Sequence, residues 1–272
     1  MAENRVSGAV EKATDSTAFE RAARAGHIVS GLVHLLIAFI IIRIAFGSGG
    51  NADQSGALGT LGSSPGGKTM LWIAAVAFLA MALWRVAEAI VGPHATEPGD
   101  DDSGASKLFD RAKAAGVALV YFGFAFSAFQ FARGTGQSSG QQSAGLSARL
   151  MENTAGKTLL VVAGLVIIAI GGYHVYKGVT KNFLDDLKVS GGTVITPLGI
   201  AGYTAKGLVL IGAGVLVIVA SINSDPSKAT GIDGAVKTLG EAPFGKFLLI
   251  LAGIGIAAYG LYSFAMARYS RM

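Results

Sequence analysis

The sequence contains no cysteine in its 272 residues. Without a thiol the chain forms no disulfide, thiolate metal site or iron–sulfur cluster, and it has no cysteine nucleophile. Charged residues are also few: they make up 14% of the chain, whereas a typical soluble domain has about 25%. Hydrophobic residues make up 51%, and they lie in long runs that only lipid would solvate. The composition therefore predicts a membrane protein.

Catalytic motifs are lacking as well. The sequence shows no Ser-His-Asp set, no His-Glu-x-x-His pattern and no pair of carboxylates inside an apolar run. The segments between the apolar runs are too short to fold into an enzyme domain. The net charge of +5 does not come from a basic cluster interleaved with aromatic residues, which nucleic-acid binding would require. We therefore predict no enzyme activity, no catalytic or metal-binding residue, no cofactor and no nucleic-acid partner.

Six apolar runs are long enough, at about 20 residues, to cross the hydrocarbon core of a bilayer. Lipid offers the backbone no hydrogen-bond partner, so each run is predicted to be a helix. The runs cover residues 26–46, 69–91, 113–132, 158–178, 198–221 and 247–267. The predicted fold is all-α: a polytopic membrane protein with six transmembrane helices. The first 24 residues mix acidic and basic side chains without an apolar core, so the first span is predicted to be an uncleaved anchor.

The third run is the least apolar, and its aromatic side chains predict a surface that faces lipid. These side chains are Tyr121, Phe122, Phe124, Phe126, Phe129 and Phe131.

Basic residues predict the orientation, because cytoplasmic flanks carry an excess of Lys and Arg. The two tails and the even-numbered loops hold twelve such residues, and the odd-numbered loops hold eight. The twelve are Arg5, Lys12, Arg21, Arg24, Lys107, Arg111, Lys113, Lys177, Lys181, Lys188, Arg268 and Arg271; the eight are Arg43, Lys68, Arg133, Arg149, Lys157, Lys228, Lys237 and Lys246. Both termini are predicted to be cytoplasmic.

A sequence element recurs three times at a constant spacing of 89 residues. A Gly-Lys pair opens the second helix of each copy, and an aromatic residue follows seventeen positions after the glycine. The copies are Gly67, Lys68 and Trp84; Gly156, Lys157 and Tyr173; and Gly245, Lys246 and Tyr262. The first helices align more loosely, with Gly26, Gly116 and Gly202 in register and Gly31 matching Gly207.

The repeat predicts three parallel helical hairpins, because each copy contributes two spans and so enters the membrane from the same side. A pseudo-threefold axis along the membrane normal is the simplest arrangement for such copies. The predicted organisation is a cytoplasmic tail (1–24), repeat 1 (25–92), an acidic linker (93–112), repeat 2 (113–180), a second linker (181–197) and repeat 3 (198–268). Short amphipathic helices at 53–61, 144–150 and 232–239 are predicted to rest on the extracytoplasmic bilayer surface.

Taken together, these motifs resemble a bacterial membrane family called domain of unknown function 1206. The shared pattern is Gly-aromatic-x-x-x-Gly, then Ser/Asp-Gly-Ala-Leu/Val, then Pro-x-Gly-Lys and a helix that ends in Trp or Tyr. The resemblance extends over residues 22–268, and the second copy departs most because it lacks the proline and has Tyr121 in place of the second glycine. It implies a six-helix protein of the bacterial cytoplasmic membrane and supplies no activity.

Residues 62–69 match the phosphate-loop pattern G-x-x-x-x-G-K-[ST]. A phosphate loop follows a strand in an α/β domain, whereas here one membrane span precedes the motif and another follows it. The third repeat also has Phe247 where the first has Thr69. We therefore interpret the motif as the start of a membrane helix.

Ionisable side chains inside membrane spans are expensive and are functional candidates. The candidates are His34, Arg85, Glu88, His174, Lys177 and Lys206. They are interpreted either as structural groups that pair or hydrogen-bond near helix ends, or as the lining of a polar cavity in the cytoplasmic half. A third hypothesis is a haem ligated by His34 and His174.

From the sequence alone, the favoured function is a non-enzymatic scaffold, accessory subunit or envelope-associated component. The alternative is a small-solute or ion transporter or channel. The expected contacts are the lipid bilayer and either a membrane-protein partner or a second copy of the chain.

Overall fold

A computed structural model describes residues 17–91 and 104–270. Most of the predicted N-terminal tail, residues 1–16, lies outside the described residues. So does the acidic run of Asp100, Asp101 and Asp102 in the first predicted linker.

The described residues form nine α-helices and contain no strand of a sheet. The helices are α1 (Thr17–Ala45), α2 (Gln54–Gly62), α3 (Gly67–Val91), α4 (Gly104–Arg133), α5 (Ser139–Leu150), α6 (Thr154–Thr180), α7 (Gly192–Asn223), α8 (Gly231–Glu241) and α9 (Gly245–Tyr269). Single 3-10 turns follow α6 at Asn182–Leu184 and α7 at Pro226–Lys228. Six of the helices, α1, α3, α4, α6, α7 and α9, are long and apolar enough to cross a membrane. The predicted all-α, six-span fold is confirmed.

The short helices α2, α5 and α8 lie in the loops where amphipathic helices were predicted. Their position on the bilayer surface stays a prediction. Several long helices begin before the predicted spans: α1 and α4 take in part of the predicted tail and first linker, and α7 begins at Gly192 with Pro197 inside it. At 32 residues and about 1.5 Å per residue, α7 exceeds the hydrocarbon thickness of about 30 Å.

The chain divides into two compact units. Among the described residues, the first takes in 17–22 and 61–136, and the second takes in 23–60 and 137–270.

In the first unit, α3 and α4 pack as an antiparallel hairpin. Trp72 meets Phe129 edge-on with ring centroids 5.3 Å apart, and Phe78 lies 5.6 Å from Phe124. At the open end of the hairpin, the guanidinium of Arg111 donates to the carbonyl of Ile90 at 2.6 Å. The prediction that the aromatic face of α4 is directed to lipid is therefore wrong in part: the rings that contact α3 are protein-facing. Phe122 and Phe126 remain exposed.

In the second unit, close backbone contacts join the second helix of one repeat to the first helix of another. A Cβ on Gly171 of α6 would lie 2.7 Å from the carbonyl oxygen of Gly207 of α7. The same contact recurs between α1 and α9, where a Cβ on Gly31 would lie 2.9 Å from the carbonyl oxygen of Gly260. The repeat spacing carries Gly171 to Gly260, and Gly207 matches Gly31. Equivalent residues therefore make equivalent contacts, and the last span of the chain packs on the first.

The repeat-defining glycines Gly67, Gly156 and Gly245 are buried. Each lies at or near the start of a long helix that follows a short helix along the chain. A Cβ at any of the three would overlap a backbone carbonyl of the preceding short helix. This steric requirement explains why the Gly-Lys pair recurs. It also confirms the interpretation of residues 62–69 as a helix start, because Gly67 begins α3 directly after a helix, not a strand.

A polar network joins the starts of the short helices within the second unit. Asp53 accepts from the backbone N–H of Gly56 at 2.9 Å and from the hydroxyl of Ser55, and the Ser55 hydroxyl accepts from the backbone N–H of Ser139 at 2.9 Å. The carboxylate of Asp233 accepts from the backbone N–H of Ala52 and from Lys237 Nζ. Hydrogen bonds therefore hold the connecting segments of all three repeats together at this end of the unit.

The adjacent glycines of α6 provide a test of the backbone contact. Gly171→Ala should lower the free energy of unfolding by about 1–3 kcal/mol, because its methyl group would meet backbone atoms of α7 that cannot move aside. Gly172→Ala should change it little, because nothing lies within 4 Å of a Cβ at that position. Equilibrium unfolding in mixed dodecyl sulfate micelles measures both variants. Equal effects of the two substitutions would show that the close α6–α7 contact at Gly171 does not determine the stability.

Candidate functional site

Four of the predicted candidates, His34, His174, Lys177 and Lys206, lie around one group of rings in the second unit. We call this group the aromatic cluster; it consists of Phe183, Tyr203, Tyr259 and Tyr262.

Tyr203 of α7 lies at the centre of the aromatic cluster. It stacks on Phe183 with centroids 5.5 Å apart and planes 14° apart, and it meets Tyr259 edge-on at 5.3 Å. Gly202 permits this arrangement, because a Cβ there would lie 2.6 Å from the backbone nitrogen of Tyr259. The hydroxyl of Tyr262 donates to the carbonyl of Phe183 at 3.0 Å. The cluster thus joins α7, α9 and the segment after α6.

Cationic and imidazole side chains surround these rings. Lys206 Nζ lies 4.1 Å from the ring centroid of Tyr259, and the His34 ring lies 4.7 Å from the same centroid. Lys177 and His174 of α6 approach Tyr203, at 5.7 Å and 5.8 Å. Cations are attracted to the negative face of an aromatic ring, and more strongly so where water is scarce.

In each of the two histidines, a neighbouring backbone carbonyl determines which ring nitrogen carries the hydrogen. His34 Nδ1 lies 2.7 Å from the carbonyl oxygen of Ser30, and His174 Nδ1 lies 2.9 Å from that of Ile170. A carbonyl oxygen only accepts, so in both cases Nδ1 carries the hydrogen. In the neutral ring, Nε2 is then the nitrogen that can accept a hydrogen bond.

These groups lie at different depths. Lys177 is three residues from the end of α6, whereas Lys206 is fourteen residues from the start of α7, or about 21 Å along its axis. Tyr259 is ten residues from the end of α9, or about 15 Å. Polar groups thus run from the end of the unit to about the middle of its spans.

The cation near the end of α6 is neutralised, whereas the cation further into the unit is not. Lys177 Nζ pairs with Asp186 at 2.7 Å. Lys206 has no ion-pair partner and no hydrogen-bond acceptor among the described residues; its contact is the Tyr259 ring. An unneutralised cation inside a membrane span costs free energy, which makes Lys206 a candidate functional residue.

The linker between α6 and α7 covers the end of the aromatic cluster. Phe183 and Leu187 are buried, at 0% and 1% exposed. The backbone N–H of Lys188 donates to the carbonyl of Tyr269 at 2.7 Å, and Leu187 forms an isolated antiparallel bridge with Ser270. The linker is therefore held to the end of α9.

The other two candidates, Arg85 and Glu88, lie in the first unit near the end of α3. Arg85 donates to Glu88 at 2.7 Å, and both side chains are partly exposed. The Nε of Arg85 is buried and has no hydrogen-bond partner among the described residues. This geometry favours the structural interpretation of the pair.

The repeat-defining aromatics differ in role, since Tyr262 is buried in the aromatic cluster whereas Tyr173 is exposed. Two of the repeat-defining lysines contact residues of other segments. Lys246 Nζ lies 4.4 Å from the Phe46 ring centroid, and Lys157 Nζ donates to the Ser224 hydroxyl at 2.8 Å. Lys68 is exposed.

A family model described as Domain of Unknown Function (DUF1206) matches the chain three times, at residues 25–92, 112–181 and 201–270. The chain belongs to this family. It is also similar to "Uncharacterized protein YxxB" of Bacillus subtilis (strain 168), with 28% identity over 260 residues, 93% of this chain and 92% of the relative. No solved structure matches it.

The DUF1206 repeat provides an internal control for the site. With Gly202 in register with Gly26 and Gly116, Lys206 corresponds to Ser30 and Val120. On the same basis His34 corresponds to Leu210 and Phe124, and the spacing of 89 residues aligns Tyr259 with Ile170 and Met81. The other copies thus have apolar residues or a serine where this site has Lys, His and Tyr. Because equivalent glycines pack alike in the second unit, helix packing does not require these three side chains.

Sequence reasoning singled out Tyr262 as a repeat-defining aromatic and missed the other three aromatic residues of the site. Tyr203 and Tyr259 lie within apolar runs, where a tyrosine is unremarkable, and Phe183 lies in a predicted linker. The available signal was the departure of Tyr259 from its apolar equivalents in the repeat.

The haem hypothesis does not fit this arrangement well. Successive ring contacts lead from His174 through Tyr203 and Tyr259 to His34. Two tyrosine rings thus occupy the space that a haem between the histidines would need. In residues 17–91 and 104–270 there is also no group of three or more His, Asp or Glu side chains that could hold a metal ion.

Phe183→Ala should lower the free energy of unfolding by about 3–5 kcal/mol, because it removes a fully buried ring and leaves a cavity under the linker. The matched control is Phe247→Ala, which deletes the same side chain at a largely exposed position of α9. Equilibrium unfolding in mixed micelles compares the two variants. If Phe183→Ala were as mild as the control, the linker would not be anchored by its ring.

Proposed function

We propose that the protein is a non-enzymatic membrane protein that binds a small solute at Lys206, His34 and Tyr259 and carries it to or from the cytoplasm. The observation that supports this proposal is the position of Lys206: a cation about midway along a span, in contact with an aromatic ring and without an acidic partner among the described residues. Intramembrane ionisable groups mark substrate and ion pathways. The scaffold function favoured from the sequence rests on missing catalytic motifs, whereas solute binding rests on a specific set of side chains.

The proposed location is the bacterial cytoplasmic membrane, with both termini and the linker 181–191 in the cytoplasm. The basic residues of the tails and even-numbered loops support this orientation, and the similarity to a Bacillus subtilis protein supports a bacterial membrane. In this orientation the aromatic cluster lies toward the cytoplasm, and the linker controls access from that side.

No bond needs to be made or broken at this site. The Lys206 ammonium can donate hydrogen bonds, the histidines can donate or accept them, and the tyrosine rings can contact an apolar part of a solute. Reversible binding suits these groups, because an aromatic wall with a few polar groups is the usual composition of a small-molecule site.

Cysteine labelling tests whether water and solutes reach the site, and the natural absence of cysteine means that each variant has one thiol. Lys206→Cys should react with a membrane-impermeant thiol reagent in inside-out vesicles and stay unreactive in intact cells. The control is Leu208→Cys, two residues and about 3 Å further along α7 at a side chain that is 58% exposed. A thiol in lipid does not ionise, so this variant should stay unreactive on both sides.

Two other outcomes would count against solute binding. If Lys206→Cys reacts from neither side, no aqueous path reaches the site, and a scaffold function fits better. If both variants react equally, the reagent has entered the membrane or the protein has unfolded; intact folding is checked by size-exclusion chromatography of the labelled protein.

The orientation has its own test. Lys68→Cys, Thr154→Cys and Lys246→Cys lie where α3, α6 and α9 begin, so all three should react in intact cells. Lys188→Cys in the linker should react only after lysis. A mixture of reactive and unreactive positions among the first three would contradict the parallel arrangement of the repeats.

A further inference from the structure

Resting on the proposed function, we infer that the solute bound at Lys206 is a small oxyanion, with a carboxylate or phosphate group that contacts the Lys206 ammonium. The chemistry of the surrounding groups carries this inference, because they offer hydrogen-bond donors and positive charge, and the nearby carboxylate of Asp186 is already paired with Lys177.

The charge comes first. Lys206 and Lys177 contact rings of the aromatic cluster, and Asp186 already pairs with Lys177 at 2.7 Å. Lys206 is left with a net positive charge about 21 Å into α7. A bound anion supplies the missing counter-charge, whereas a bound cation would add to the repulsion and a neutral solute would leave the cost in place.

The hydrogen bonds favour the same class of ligand. An ammonium has three donor hydrogens, and Lys206 uses none of them on an acceptor among the described residues. The hydroxyls of Tyr203 and Tyr259 also have no hydrogen-bond partner there, whereas that of Tyr262 donates to Phe183. A carboxylate or phosphate offers several acceptor lone pairs at once, which suits the ammonium and the two hydroxyls as donors.

The repeat indicates that helix packing does not require the lysine. Its equivalents are Ser30 and Val120, and the equivalent contact of Gly31 with Gly260 forms with Ser30 in the place of Lys206. Replacement of Lys206 should therefore leave the fold intact. This property separates a binding defect from a folding defect in the test.

An oxyanion of this kind has two sources, a soluble molecule or the phosphate of an anionic lipid. The test uses the full-length protein, as wild type, Lys206→Gln and the matched control Lys188→Gln, which removes an exposed lysine of the linker. Thermal unfolding in a neutral maltoside detergent is measured with sodium phosphate, sodium acetate and sodium chloride at equal ionic strength. A parallel arm compares nanodiscs of phosphatidylglycerol with nanodiscs of phosphatidylcholine.

The expected results follow from charge neutralisation. At low ionic strength Lys206→Gln should unfold at a higher temperature than wild type, because the variant lacks the unneutralised cation. Phosphate or acetate should raise the unfolding temperature of wild type and Lys188→Gln more than chloride does. The apparent affinity for the oxyanion should fall about 10- to 100-fold in Lys206→Gln, as expected for a lost charged hydrogen bond. Stabilisation by phosphatidylglycerol alone would identify a lipid phosphate as the source.

The inference is overturned if neither oxyanion nor phosphatidylglycerol stabilises wild type more than Lys206→Gln. Cysteine labelling then distinguishes failure of the anionic ligand from failure of the solute site. Labelling of Lys206→Cys from the cytoplasmic side together with no anion effect would keep the proposed function and reject the anionic ligand. Absence of both would reject the solute site itself.

Discussion

Close contact between helix backbones is the constraint on which the second unit depends. Apolar side chains gain little by leaving lipid for one another, so spans associate through van der Waals packing and polar contacts. Gly171 on Gly207, and Gly31 on Gly260, bring backbones together at distances that a Cβ would prevent. The first contact joins α7 to α6, and the close approach of Gly202 to the backbone of Tyr259 joins α7 to α9; in that position Tyr203 and Lys206 meet Tyr259. The site is therefore a consequence of glycine packing.

Polar groups in the same unit serve two separate purposes. At the starts of the short helices, Asp53 and Asp233 accept hydrogen bonds from backbone N–H groups and side chains, so their charges are used within the fold. At the other end, Asp186 neutralises Lys177, and Lys206 has no such partner among the described residues. Lys206 lies inside a span and has no hydrogen-bond acceptor among the described residues, so its ammonium is suited to bind an acceptor group of a ligand.

The triplicated DUF1206 unit makes this argument possible without comparison to other proteins. Three copies solve the same packing problem in one chain, so a residue that all copies share reflects packing. Gly67, Gly156 and Gly245 belong to this class. A polar residue found in one copy, such as Lys206 or His34, reflects a requirement that packing does not impose.

The sequence by itself determined the six spans, the threefold repeat and the helices between spans, because hydropathy, spacing and glycine position depend on local chain properties. It also pointed to Lys206, His34 and His174, since an ionisable group in an apolar run is conspicuous. Only the tertiary structure decided which of them meet. It places Lys206 and His34 against the Tyr259 ring and pairs Lys177 with Asp186. It also buries Phe183 of the linker in the core. Such contacts depend on the crossing of helices distant in sequence, and no local pattern encodes that crossing.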